Sequence, residues 1–155
     1  IHGGESTTIY RSGTPTVALA SSLACALDLA VTDLPERVDH VAKLNAELRA
    51  ALSTYPLVRI NSPDHAIPHV LNLSVRNVKG TVFQRELDAK GVCVSVKSAC
   101  SSDGLPSRAV FAVSRDRRNA LSSWRISLSH LTTEDEIKAF LQAFDVCYRE
   151  LTAVH

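Results

Sequence analysis

A chain of 155 residues with 17 Lys+Arg against 16 Asp+Glu, 45% hydrophobic and 21% charged, fits one domain and is neither a disordered segment nor a polyelectrolyte. A net charge of +1 disfavours strong nonspecific nucleic-acid binding, and no apolar run reaches the roughly 18–20 residues that cross a bilayer. With no such run and no leader-like start, the chain is expected to be soluble and cytoplasmic. The four cysteines, Cys25, Cys93, Cys100 and Cys147, lie 68, 7 and 47 positions apart, which matches neither a zinc knuckle nor a disulfide scaffold, so reduced thiols and no metal are expected.

The chain contains no methionine and opens on Ile1-His2-Gly3-Gly4, so it reads as part of a longer polypeptide. Residues 1–13, rich in Gly, Ser and Thr, read as a loop leading into a domain over 14–155. Thr14-Pro15 then supplies an N-cap hydroxyl and a first-turn proline for a helix through Val17, Leu19, Leu23, Leu27 and Val31. That helix is apolar on most sides, so it is predicted to be buried.

A second helix is predicted from Asp33, with Glu36 completing a capping box, and carries Leu34, Val38, Val41, Leu44, Leu48 and Leu52 at steps of 4, 3, 3, 4 and 4. Leu57 to Ile60 and His69 to Val75 read as strands, the latter with Leu71, Leu73 and Val75 on one face and Asn72 and Ser74 on the other. Thr81 to Lys90 has helical spacing and stops at Gly91, and Val92 to Val96 reads as a short strand.

Lys97 to Pro106 is a polar loop, and the segment from there to Leu121 has no clear period. Trp124, Ile126 and Leu128 then alternate with Arg125, Ser127 and Ser129, a strand with its arginine on the polar side. Ile137, Phe140, Leu141, Phe144 and Leu151 mark a closing helix capped by Thr132 or Thr133. The order predicts an α+β fold, a small, mainly antiparallel sheet with helices packed on one face. The other face, with Asn72, Ser74, Ser95, Arg125 and Ser127, is left for a ligand or another domain.

Cys100 sits in the polar loop after a strand, where an exposed thiol is expected, and Lys97 three residues away favours its thiolate. An incidental loop thiol is the alternative. Cys25, Cys93 and Cys147 read as small apolar fillers. Arg125 is placed to grip a carboxylate through paired hydrogen bonds, with a structural ion pair as the competing reading. Thr14 after Gly13 offers either a phosphate contact or a plain cap. His69 and His130 read as structural. Arg108, Arg115, Arg117 and Arg118 around Asp116 form a basic patch, either solvated surface or a docking site for an acidic partner.

Taken together, Arg11-Ser12-Gly13-Thr14-Pro15, Ser98-Ala99-Cys100-Ser101-Ser102 and Trp124-Arg125-Ile126-Ser127-Leu128-Ser129, followed by Leu131-Thr132-Thr133-Glu134, resemble the C-terminal part of the cysteine desulfurases, pyridoxal-phosphate enzymes of the class V aminotransferase group. The resemblance implies the small domain of a fold-type I enzyme, inactive by itself. It implies Cys100 as the sulfur-accepting nucleophile, Arg125 as the binder of the L-cysteine carboxylate, and Thr14 as a contact to the cofactor phosphate of a neighbouring subunit, hence a homodimer. It further implies that alanine is released and that the persulfide passes to an acceptor such as an iron-sulfur scaffold or a tRNA-thiolating enzyme.

Two departures from the family pattern are Val96-Lys97 before Ser-Ala-Cys, and Gly3-Gly4-Glu5 in place of a longer glycine run. None of Lys43, Lys79, Lys90, Lys97 and Lys138 matches the family's cofactor lysine. The competing functions are a non-catalytic dimerisation or docking domain, and a relative acting on selenocysteine or cysteine sulfinate.

Overall fold

The computed structural model describes residues 12–97 and 105–153. The chain divides into two compact units, Ile1–Glu36 and Arg37–His155.

In the first unit, helix α1 (Val17–Thr32) starts later than its sequence suggests. The Pro15 carbonyl accepts from the Val17 amide at 3.0 Å, a tight turn that holds Pro15 out of the helical ladder. Thr16, not Thr14, is therefore the N-cap, and its side chain makes no cap bond. The expectation that α1 is buried is not met. None of its residues is buried, and Val17, Leu19, Leu23, Leu27, Leu29 and Val31 all face outward. A single helix cannot cover an apolar surface that runs all the way round it. No single helix among the described residues is long and apolar enough to cross a membrane.

Helix α2 (Leu34–Leu52) follows directly after Asp33, the residue that closes α1. In the second unit its leucine stripe behaves as the periodicity demands, with Val41, Leu44, Leu48 and Leu52 buried. Strands β1 (Val58–Ile60), β2 (Val70–Val75) and β3 (Ser123–Ser127) form an antiparallel sheet in the order β1-β2-β3. The register sets Ile60 opposite Leu73 and Leu73 opposite Trp124, so one apolar row crosses all three strands. Helices α3 (Gly80–Asp88) and α6 (Glu134–Thr152) add Phe83, Leu87, Phe140 and Phe144 to that row and complete one core. The Phe83 ring stacks on Trp124 with centroids 5.2 Å apart. Thr133 caps α6, accepting from the Glu136 amide while the Glu136 carboxylate accepts from the Thr133 amide.

Val92 to Val96 is not a strand. It contributes one isolated bridge, Ser95 to Arg125, because its neighbouring backbone groups bond to α3 instead. The Val92 amide donates to the Leu87 carbonyl, and the Val94 carbonyl accepts from the Gln84 side chain at 2.9 Å. Gly91 precedes this stretch at φ 79, the left-handed geometry expected where α3 ends.

Two short helices occupy the segment without a period. Helix α4 (Arg108–Ser114) is capped by Ser107 and α5 (Arg117–Ser122) by Asp116. Helix α5 lies against the polar face of the sheet, where the Ser74 hydroxyl donates to the Asn119 carbonyl at 3.1 Å. Ser74 and Ser123 are consequently buried, so only part of the polar face is open. The α+β architecture and the antiparallel sheet are as the sequence indicates.

Candidate functional site

The open part of that face forms one wall of a cleft of about 750 Å³, which Arg125, Asn72, Lys97, Leu105, Arg59 and Arg108 help to line. Arg125 stands in the middle of β3, with Asn72 of β2 as its cross-strand partner on one side and Ser95 on the other. Its backbone amide donates to the Ser95 carbonyl at 2.7 Å, and the Ser95 amide returns a bond at 3.1 Å. Backbone pairing on both edges fixes the depth from which the guanidinium projects. Its Nε is buried and has no hydrogen-bond partner, and among the described residues no acid pairs with it.

No Asp or Glu is among the described residues that line this cleft, whereas Arg59, Lys97, Arg108 and Arg125 all do. Arg59 is partly engaged by Asp116 at 3.7 Å. A wall of one sign favours an anionic ligand, and an orphaned buried donor is costly unless a ligand satisfies it. Among the described residues the structural ion pair considered for Arg125 is thus not made, which leaves its guanidinium open to an anionic group.

The polar face is braced by a network that sequence reasoning did not single out. The Asn61 amide donates to Asn72 Oδ1 at 2.9 Å and to Ser74 Oγ at 2.8 Å, and its own oxygen accepts from Asn119 at 2.9 Å. One side chain thereby ties β2 and α5 together behind Arg125. Neither Asn61 nor Asn119 lies in a motif, so no sequence signal marked them.

Of the other predicted site residues, Thr14 lies in the first unit, exposed and ahead of α1. Cys100 lies outside the described residues, although both flanks of its segment, Lys97 and Leu105, line the cleft with Arg125. Cys147 is buried, and burial pushes its thiol above the ordinary range, as suits a core filler. Cys25 and Cys93 are exposed, correcting their assignment to the core. Exposure of this kind is a distinction that residue type alone does not carry.

An α+β domain with an arginine presented from strand β3 into a cationic cleft defines the class. Residues 3–140 match the family model of the class-V aminotransferases, and the chain belongs to that family. It is 33% identical over 156 residues to the cysteine desulfurase IscS of Vibrio cholerae, covering 99% of this chain and 38% of that protein. It is 30% identical over 147 residues to IscS of Clostridium botulinum, covering 92% of this chain and 37% of that protein. The crystal structure of a NifS-like protein from Rickettsia africae superposes with a TM-score of 0.76 at 30% identity, over 96% of this chain and 39% of that one. The chain thus spans 37–40% of the length of the curated relatives it matches.

Proposed function

We propose that residues 14–155 are the small domain of a pyridoxal-phosphate-dependent cysteine desulfurase, with residues 1–13 leading in from a larger domain. The observation that supports it most is that Lys97 and Leu105, the described residues on either side of positions 98–104, line the cleft in which Arg125 presents an unsatisfied buried Nε. The names of the relatives point to the same chemistry.

In this reading Arg125 takes the carboxylate of L-cysteine through Nε and one terminal nitrogen, the paired geometry that fixes orientation as well as position. The surrounding cations strengthen that attraction in a cleft without carboxylates. Cys100, as thiolate, attacks the sulfur of the substrate. A sulfur–sulfur bond forms, the carbon–sulfur bond breaks with its electron pair staying on carbon, that carbon takes up a proton, and alanine leaves while Cys100 keeps the extra sulfur as a persulfide. Pyridoxal phosphate, when bound, supplies the group that accepts the electron pair left on carbon.

For the cofactor, this chain offers the Thr14 hydroxyl, which is exposed and makes no hydrogen bond among the described residues, as a phosphate contact across a homodimer. Lys90 and Lys138 pair with Glu150 and Asp135, and the covalent lysine is assigned outside this chain. The persulfide is passed to an acceptor protein, an iron-sulfur scaffold or a tRNA-thiolating enzyme, in the cytoplasm.

Replacing Cys100 by Ser in the full-length enzyme tests this. Alanine and sulfide release from L-cysteine should vanish. Release at the parental rate would remove the nucleophile role, and selenium release surviving alone would point to a selenocysteine-directed relative.

A further inference from the structure

A second cleft of about 460 Å³ lies beside the first, and Arg59 lines both. Its walls bring together Arg59 of β1, Arg76 and Lys79 from the turn between β2 and α3, and Arg118 of α5. Asp116 is the one acid among the described lining residues, and it faces Arg59. Arg76, Lys79 and Arg118 are exposed, and among the described residues no acid pairs with them. In a chain whose net charge is only +1, this is a strong local segregation of positive charge. Much of the remaining lining is apolar, with Pro56, Leu57, Val58 and Leu121.

We infer that this cleft is a docking site for an acidic segment of a partner protein, one that carries apolar residues among its carboxylates. The chemistry selects this occupant. The cations come from separate elements and are exposed, so they match carboxylates spread along a chain better than one compact phosphate, which would need converging, desolvated donors. Among the described residues no aromatic side chain lines the cleft, so a nucleic-acid strand would find nothing there on which to stack its bases. The apolar wall gives the side chains between the carboxylates something to cover. Because Arg59 is common to both clefts, a segment held here ends next to the cleft of Arg125.

The test uses the full-length protein and a fluorescein-labelled peptide of alternating glutamate and leucine, followed by fluorescence anisotropy. The peptide should bind with an affinity that falls as salt is raised, and Arg76→Glu combined with Arg118→Glu should weaken it by roughly tenfold or more. The milder pair Arg76→Gln and Lys79→Gln should weaken it less, at an unchanged melting temperature, which covers the case in which charge reversal disturbs folding. Equal affinity for the parent and both variants, or equal affinity for a glutamine-leucine peptide, would overturn the proposal. So would displacement of the peptide by inorganic phosphate or a single-stranded oligonucleotide at lower concentrations than unlabelled peptide requires. Binding is read without turnover, so this result stands apart from the proposed desulfurase activity.

Discussion

Asn72 and Arg125 face each other across β2 and β3 on the polar side of the sheet, with the Asn72 carboxamide oxygen already held by Asn61 at 2.9 Å. The pairing puts a neutral neighbour, not an acid, beside the guanidinium. Arg125 is thereby kept in place and left with its charge unspent.

Arg125→Ala should separate binding from folding. With no ion pair to lose, the melting temperature should move little, whereas binding of a carboxylate substrate in the full-length enzyme should weaken by roughly 1.5–3 kcal/mol. Asn72→Asp should mimic this loss, because the new carboxylate would occupy the guanidinium. Steady-state KM for L-cysteine alongside thermal melts checks both.

Gly80 opens α3 where the chain passes against β3. A Cβ there would lie 2.5 Å from the Ser123 carbonyl oxygen, a backbone atom that cannot swing aside. Gly80→Ala is therefore expected to cost about 1–3 kcal/mol, read from urea unfolding.

Thr133→Ala should remove one arm of the capping box on α6 and cost about 1 kcal/mol. Thr132→Ala should cost less of the helix, since its hydroxyl accepts from the Ser129 amide instead of capping α6. Helical signal and urea midpoint together distinguish the two.

Alkaline pH should weaken the fold through two groups. Burial raises Cys147 above 9.0, and burial together with the hydrogen bond to Asp145 raises Tyr55 above 10.0. Each holds its proton longer in the native state than in the unfolded chain. Their contribution is intact below those ordinary values and is lost as pH rises through the native ones. Denaturant midpoints should fall across that range, and Tyr55→Phe should reduce the slope. In the native protein Cys147 should resist alkylation while Cys25 and Cys93 react.

The α2 stripe, the alternation in β2 and β3 and a threonine cap on α6 were legible because their periods and caps are set by backbone geometry, which neighbouring residues already encode, whereas the choice of Thr133 over Thr132 and its pairing with Glu136 came from the structure. Arg125 on the polar side of its strand followed from the same alternation. What escaped depended on distant partners. Val92 to Val96 has a strand composition, yet α3 claims its hydrogen bonds. Helices α4 and α5 are too short to show a period, and they decide how much of the polar face stays open. The α1 pattern shows that the helix is apolar but not what covers it. The meeting of Asn61, Asn72 and Asn119, like the gathering of Arg59, Arg76, Lys79 and Arg118 around one cleft, exists only after the sheet has paired, because proximity in space across dozens of residues leaves no trace in local sequence.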